Sequence, residues 1–318
     1  MRNSKKKYLS LILAVSLVLA GCTGGGRNEE ANTRIPRKFG ATYMTMNNPY
    51  FGVLNESIKD VVEANGDILI SRDPLQDQEK QNQQIEEMVN EGVEAIFINP
   101  VDWKGVEPAL KLCREKGVAL FNVDTNVYDK EYIISTIISD NYNAGVQCAN
   151  DMMQKRDSAR IVIINHSTIN STHLRVQGFL DTIEGHDEYQ VTLHRSTTAE
   201  LEVAMEEMKD VINEGHEFDV VLGGNDPTAL GCLAAMQLNH IDRNILLYGI
   251  DGSPDAKAMI KAGYMEGTSA QSPKDIGRTA AETAYHYLDG IAVASEIKIP
   301  VHLITLKNLG EYDIGGWQ

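Results

Sequence analysis

Cysteine is scarce in this 318-residue chain: Cys22, Cys113, Cys148 and Cys232, with no CxxC pair. That spacing argues against a disulfide framework and against a thiolate metal site. The last three lie in helix-like apolar stretches, where a thiol reads as a small buried hydrophobe. The eight histidines contain no HExxH, no GxGxxG follows a strand, no P-loop occurs, and the one triple-glycine run, Gly24-Gly25-Gly26, precedes the first strand pattern. The Asp73–Asp77 stretch is acidic but lacks the spaced oxygen ligands and central glycine of a calcium loop. No catalytic residue, metal or cofactor is therefore expected, and the chain does not read as an enzyme. Positive charge is short as well, with 29 Lys and Arg against 45 Asp and Glu and a net charge of −16. Such a surface repels phosphate backbones, so nucleic acid is not an expected partner.

What is present begins at the head of the chain. Arg2 and Lys5–Lys7 precede an uncharged, largely apolar run from Leu9 to Ala20, which ends in Leu19-Ala20-Gly21-Cys22. A basic, then apolar, then small-residue order reads as an export signal, and the run falls short of the about 20 apolar residues that span a bilayer. The Leu-Ala-Gly-Cys step resembles the bacterial lipobox, which implies cleavage before Cys22 and acylation of its sulfur, with palmitate among the chains carried. Residues 1–21 are thus expected to be a lipoprotein signal peptide. Residues 22–37, with no large apolar residue between Thr23 and Thr33, should form a flexible tether. Removing residues 1–21 deletes four bases and no acids, taking the net charge from −16 to −20. The expected location is the extracytoplasmic face of the cell membrane, reached through the lipid alone.

The remaining body, roughly 280 residues, exceeds what one hydrophobic core usually supports, so two domains are expected. Short β-branched runs alternate with helical patterns. The strand-like segments are 39–45, 67–71, 95–99, 119–124, 133–139, 160–165, 190–193, 220–222, 246–250 and 267–270. Leu54, Ile58, Val61 and Val62 show the helical spacing of the first intervening segment. Apolar strands separated by helices predict parallel sheets covered on both faces. The rhythm runs twice, before and after about Asp140, which predicts an α/β fold of two doubly wound, mostly parallel lobes.

In doubly wound sheets, ligands bind beyond the carboxyl ends of the strands. Those ends are polar here: Asn47-Asn48-Pro49-Tyr50-Phe51, Asn99-Pro100-Val101-Asp102 and Asp124-Thr125-Asn126 in the first half. In the second they are His166-Ser167-Thr168, Asn225-Asp226, Asp251-Gly252 and Gln271, with Arg175 early in a helix. Carboxylates accept two hydroxyl hydrogen bonds, Arg donates from a rigid fork, and Asn or Gln does both, while Tyr50 and Phe51 can lie against the C–H faces of a ring. The set suits a neutral polyhydroxylated ligand. Each member also has a structural reading: Asn48 before Pro49 as a helix cap, Asp251 before Gly252-Ser253-Pro254 as another, Asn225 as a turn, Arg175 as a surface ion-pair partner.

Six stretches carry a resemblance: Met46–Phe51, Ile98–Asp102, Ile138–Asn141, Arg175–Phe179, Gly224–Asp226 and Gly249–Asp255. In this order, from about Lys38 to Asn308, they resemble the ribose-binding branch of the type I periplasmic binding proteins that feed ABC importers. The resemblance implies sugar-contacting residues at Asn48, Tyr50, Phe51, Asn99, Asp124, Arg175, Asn225, Asp251 and Gln271. It also implies two lobes joined by a three-strand hinge near Ser139–Asp140, Gln271–Ser272 and His302–Leu303. The first lobe would then comprise 38–139 with 272–302, and the second 140–271 with 303–318. The chain departs from the ribose pattern where Thr125 replaces a bidentate Arg, where no aromatic stands near Thr198–Ala199, and where Ile250 replaces a frequent Phe. Thr125 joins the expected ligand set, and the ligand becomes another monosaccharide or a polyol. The implied function is a monomeric lipoprotein that captures such a ligand by lobe closure and delivers it to ABC permease subunits. The alternative is a sensor presenting the ligand to a membrane receptor or histidine kinase. A transcription regulator shares the two-lobe body, but it needs a helix-turn-helix head where this chain has an export signal.

Cys22→Ser is expected to release the protein from membranes into the soluble fraction. Intact-mass analysis of the wild type should show an acylated chain beginning at Cys22; an unmodified chain cut elsewhere would contradict the lipobox.

Overall fold

A computed structural model describes residues 34–241 and 244–318. The expectations for the signal peptide, for Cys22 and for most of the tether lie outside the described residues. Residues Pro36–Gln318 form one compact unit containing two six-stranded sheets.

The first half begins with β1 (Lys38–Thr42), α1 (Pro49–Ala64), β2 (Ile68–Arg72), α2 (Gln78–Asn90) and β3 (Ala95–Ile98). It continues through α3 (Glu107–Lys116), β4 (Ala119–Val123) and β5 (Ser135–Ser139). The second half runs α4 (Asn141–Lys155), β6 (Ala159–Asn165), α5 (Asn170–Ile183), β7 (Tyr189–Ser196), α6 (Leu201–Asn213), β8 (Val220–Gly223) and α7 (Asp226–Leu238). Then come β9 (Leu246–Asp251), α8 (Pro254–Lys261), β10 (Gly267–Ala270), α9 (Pro273–Leu288), β11 (Glu296–Ile299) and β12 (His302–Thr305). The sheet orders are β11-β5-β4-β3-β1-β2 and β12-β10-β9-β8-β6-β7, parallel throughout except for the β10–β12 pair. This is the expected pair of doubly wound lobes.

Alternation along each central strand divides its side chains between two cores. Ala95 and Phe97 face a core with α1 and α9, while Ile96 and Ile98 face one with α2 and α3. In the second lobe Val162 and Ile164 pack with α6–α8, and Ile161 and Ile163 with α4 and α5. Fully buried side chains such as Leu54 and Ile58 each contribute about 1.5–3 kcal/mol. Cys113, Cys148 and Cys232 are unpaired and buried in α3, α4 and α7, as the sequence suggested.

The chain passes between the sheets three times. Two passages lie between β5 and α4 and between β10 and α9. The third differs: His302 already pairs with Ala270 and Val301 lies in a second-lobe core, so the passage is at Pro300, two residues earlier than anticipated. Proline has no N–H to extend the β11 ladder, which ends that strand at Ile299. The assignment of 303–318 to the second lobe also needs correction at its end, because Trp317 packs against the first-lobe core.

Two glycines set how α5 sits on α4. A Cβ at Gly145 would lie 1.8 Å from the Arg175 carbonyl oxygen, and one at Gly178 would lie 2.0 Å from that of Tyr142. Only bare backbones approach so closely, and this contact fixes the turn of α5 that bears Arg175. Gly145→Ala or Gly178→Ala should cost about 1–3 kcal/mol or more in urea unfolding. Gly52→Ala, where nothing lies within 4 Å in α1, should gain stability by about 0.5–1 kcal/mol. Equal effects at the three positions would contradict the packing argument.

Candidate functional site

The carboxyl ends of the strands of both sheets converge on a cavity of about 600 Å³, inside the roughly 300–1,000 Å³ typical of small-molecule sites. Eight of the ten residues singled out from sequence line it: Asn48, Tyr50, Phe51, Asp124, Arg175, Asn225, Asp251 and Gln271. Asn99 and Thr125 stand elsewhere. Asn99 is fully buried behind the wall; its Nδ2 donates to Asp124 Oδ2 at 2.9 Å and its Oδ1 accepts from the Met44 amide at 3.0 Å. It orients the Asp124 carboxylate instead of facing the cavity. Thr125 Oγ1 accepts from the Ser171 amide at 3.1 Å, so it joins the two lobes.

The local folds that present these groups combine structural and site roles. Asn48 caps α1 by accepting from the Tyr50 amide at 3.0 Å, with Pro49 preorganising the first turn, and this puts Tyr50 and Phe51 on the wall. Asn225 caps α7 through Thr228 and also donates to the Ala199 carbonyl at 3.1 Å. Asp251 is not a cap: Ser253 caps α8 by accepting from the Ala256 amide, which leaves the Asp251 carboxylate facing the cavity. Arg175 is not a surface residue. It is 3% exposed, its Nε donates to Asn141 Oδ1 at 2.8 Å, and one Nη donates to the Gly224 carbonyl at 2.8 Å.

Charge is concentrated here. Arg175 Nη1 lies 3.8 Å from Asp251 Oδ1, while Gln271 Nε2 donates to the same oxygen at 2.7 Å. Burial pushes the Asp251 carboxyl well above the usual carboxylate range; nearby Asp226 pushes the same way and Arg175 opposes. Burial likewise raises Asp124, with Arg175 again opposing. Asp226 is buried behind Asp251 and is held by Thr268 Oγ1 and the Ser253 amide, both at 2.7 Å. Burial, and then the charges of Asp124 and Asp251, push the Tyr50 hydroxyl up and keep it a neutral donor, 3.4 Å from Gln271 Oε1.

Backbone strain collects in the same place. Six described non-glycine residues have φ in the left-handed region, and four of them line the cavity: Gln76 (63°), Asp124 (66°), Ala199 (62°) and Asp251 (151°). Each costs of order 1–3 kcal/mol and persists only where surrounding structure enforces it, a pattern typical of functional sites.

Sequence reasoning missed several wall residues. Gln76 Nε2 donates to Glu200 Oε1 at 2.7 Å across the lobes, and Trp317 stacks edge-on against Tyr50 with ring centroids 5.8 Å apart. Gln76 sits in a loop after an edge strand, and Trp317 follows the last regular element, so neither belongs to a periodic pattern. The missing aromatic near Thr198–Ala199 is real, and both residues line the cavity. Among the described residues no cluster of His, Cys, Asp or Glu is arranged to hold a metal, and no helix is long and apolar enough to cross a membrane.

A two-lobed fold with a polar, strained cavity between its sheets is that of a solute-binding protein. Residues 39–292 match the family model described as periplasmic binding protein domain, and the chain belongs to that family. It is 28% identical over 309 residues to the ribose import binding protein RbsB of Bacillus subtilis, covering 95% of this chain and all of that one. The Escherichia coli RbsB is 24% identical over 94% of this chain and 98% of its own length. Among solved structures, the Caulobacter myo-inositol binding protein superposes with a TM-score of 0.82 at 24% identity, covering 88% of this chain and 98% of that one. The likeness places this chain in the type I branch that contains importer binding proteins, which are solute-binding components and not enzymes.

A carboxyl group whose pKa is raised on folding holds its proton more tightly in the native state. Its ionisation therefore erodes stability as pH climbs from the ordinary carboxylate range towards the raised value. Asp251→Asn removes that ionisation. The melting temperature of the variant should gain on wild type as pH rises from about 5 to about 8. A difference that stays flat across that window would contradict the raised Asp251.

Proposed function

We propose that this protein captures a neutral monosaccharide or cyclic polyol between its lobes and delivers it to an ABC importer. The observation that carries the reading is the cavity itself, which draws Asp124, Asn225, Asp251, Gln271 and Arg175 together with Tyr50 and Phe51. Fixed donors and acceptors of that kind discriminate hydroxyl stereochemistry, because a buried partner left unmatched costs about 1–3 kcal/mol. The charge balance argues for a neutral ligand. Glu200, Glu202 and Asp255 join the raised carboxyls of Asp124 and Asp251 on the wall against Arg175 alone, so the wall holds no surplus of positive charge, which disfavours sugar phosphates and uronic acids. The ribose and inositol binders among the relatives support the same ligand class.

The lobes already touch through Gln76–Glu200 and Thr125–Ser171. In the proposed cycle these contacts open to admit the ligand and reform around it. The ligand shifts the equilibrium by its preference for the closed arrangement. The closed surface is what permease subunits read. Acylation at Cys22 and the tether after it would hold the working body at the extracytoplasmic face of the membrane.

A thermal-shift screen over pentoses, hexoses, polyols and furanose sugars, followed by calorimetry, tests the reading, because a ligand that binds only the folded state raises its melting temperature. At least one member should bind. Arg175→Ala, checked for folding by circular dichroism, should weaken that binding by roughly 2–5 kcal/mol, since it leaves buried carboxylates unbalanced. Wild-type affinity in folded Arg175→Ala would contradict the site.

A further inference from the structure

The segment that follows the last helical turn, Tyr312–Gln318, runs from one lobe to the other. Tyr312 and Ile314 pack against a second-lobe core, and Trp317 packs against the first-lobe core. The segment is pinned at both ends. Lys257 on α8 is fully buried, and its Nζ donates to the carbonyls of Asp313 at 2.5 Å and Gly316 at 2.7 Å. Lys274, at the start of α9, donates to the Trp317 carbonyl at 2.7 Å. A buried ammonium without partners is costly, so Lys257 requires these carbonyls and the segment cannot leave without orphaning it. Gly316 permits the fold-back, since a Cβ there would meet Asp313 Oδ2 at 2.4 Å.

We propose that Trp317 is an aromatic wall of the ligand cavity and sets its selectivity among ring-shaped polyols. The indole lines the cavity beside Tyr50, at an interplanar angle of 71°, and Tyr50 in turn meets Phe51 edge-on at 5.4 Å. These three rings form an apolar surface next to a wall otherwise rich in carboxylates and amides. Thr198 and Ala199, from the second lobe, bring no ring. A ring-shaped polyol has C–H faces that gain from such a surface while its hydroxyls pair with the polar groups. Because the segment is anchored to both lobes, the indole is positioned by the closed arrangement. This inference rests on the sugar-binding reading and adds to it the source and the consequence of the aromatic surface.

The chain has two tryptophans, and Trp103 packs on Tyr128 away from the cavity wall. Trp103→Phe therefore leaves Trp317 as the sole indole reporter. D-Ribose, D-allose and myo-inositol serve as probes, with affinities from calorimetry and emission from the single-tryptophan protein. Saturation with any probe that binds should shift or quench Trp317 emission. Trp317→Ala should weaken that probe about ten-fold and Trp317→Phe only about three-fold, as expected for a stacking ring. Trp317→Leu should change the ratio of affinities among the probes, whereas a residue that merely straps the lobes would weaken all of them equally. Folding of each variant is verified by thermal melting. If a probe binds wild type while the emission is unmoved and Trp317→Ala binds within two-fold, the wall assignment falls and the sugar-binding reading stands. If none of the wider sugar panel binds wild type, both fall together.

Discussion

One buried guanidinium balances the interior of the cleft. Arg175 comes from the second lobe, yet it offsets the raised carboxyls of both Asp124, on the first lobe, and Asp251. Two of its donors are already committed to Asn141 and Gly224, which lock the side chain in place. A fixed cation between buried carboxyl groups is costly to bury and is weak evidence for stability of the fold. It fits the proposed role of a preorganised set of donors and acceptors for hydroxyl groups. The glycine contact between α4 and α5 exists upstream of that requirement, because it brings the helix bearing Arg175 against its neighbour.

The strained backbone at Gln76, Asp124, Ala199 and Asp251 extends the same argument. These residues project from strand ends and loops that the two rigid sheets hold in register, so the scaffold absorbs the cost and the loops keep their geometry. Asn99 illustrates the division of labour, since it sits behind Asp124 and spends its amide on fixing that carboxylate. Thr125 does so in another way, linking the lobes at the Ser171 amide, although as a departure from the ribose pattern it joins the expected ligand set.

Most of the fold was legible because central strands are apolar on both faces and alternate with amphipathic helices. The strand β11, Glu296-Ile297-Lys298-Ile299, escaped notice since an edge strand alternates charged with apolar residues and spans only four positions. The polar strand ends mark the cavity, and for Asn48 and Asn225 the structural and site readings hold together, since both cap helices while lining it. What residue types could not tell was which polar groups face inward and which support them, because Asn99 and Asp124 are chemically plausible in either role. Trp317 was invisible for a different reason. Its position is dictated by Lys257, a buried lysine whose partners are backbone carbonyls roughly sixty residues on, and no periodic pattern records such a contact.

The central claim is that the cavity exists only when both lobes supply their share of its wall, so that occupancy and closure are one event. Small-angle X-ray scattering on residues 34–318 measures this directly, with and without a saturating sugar found by screening. The radius of gyration should fall on binding, as an open ensemble gives way to the arrangement in which Gln76 meets Glu200 and Thr125 meets Ser171. An unchanged radius at saturation would mean that the lobes do not move, and would contradict the proposed closure.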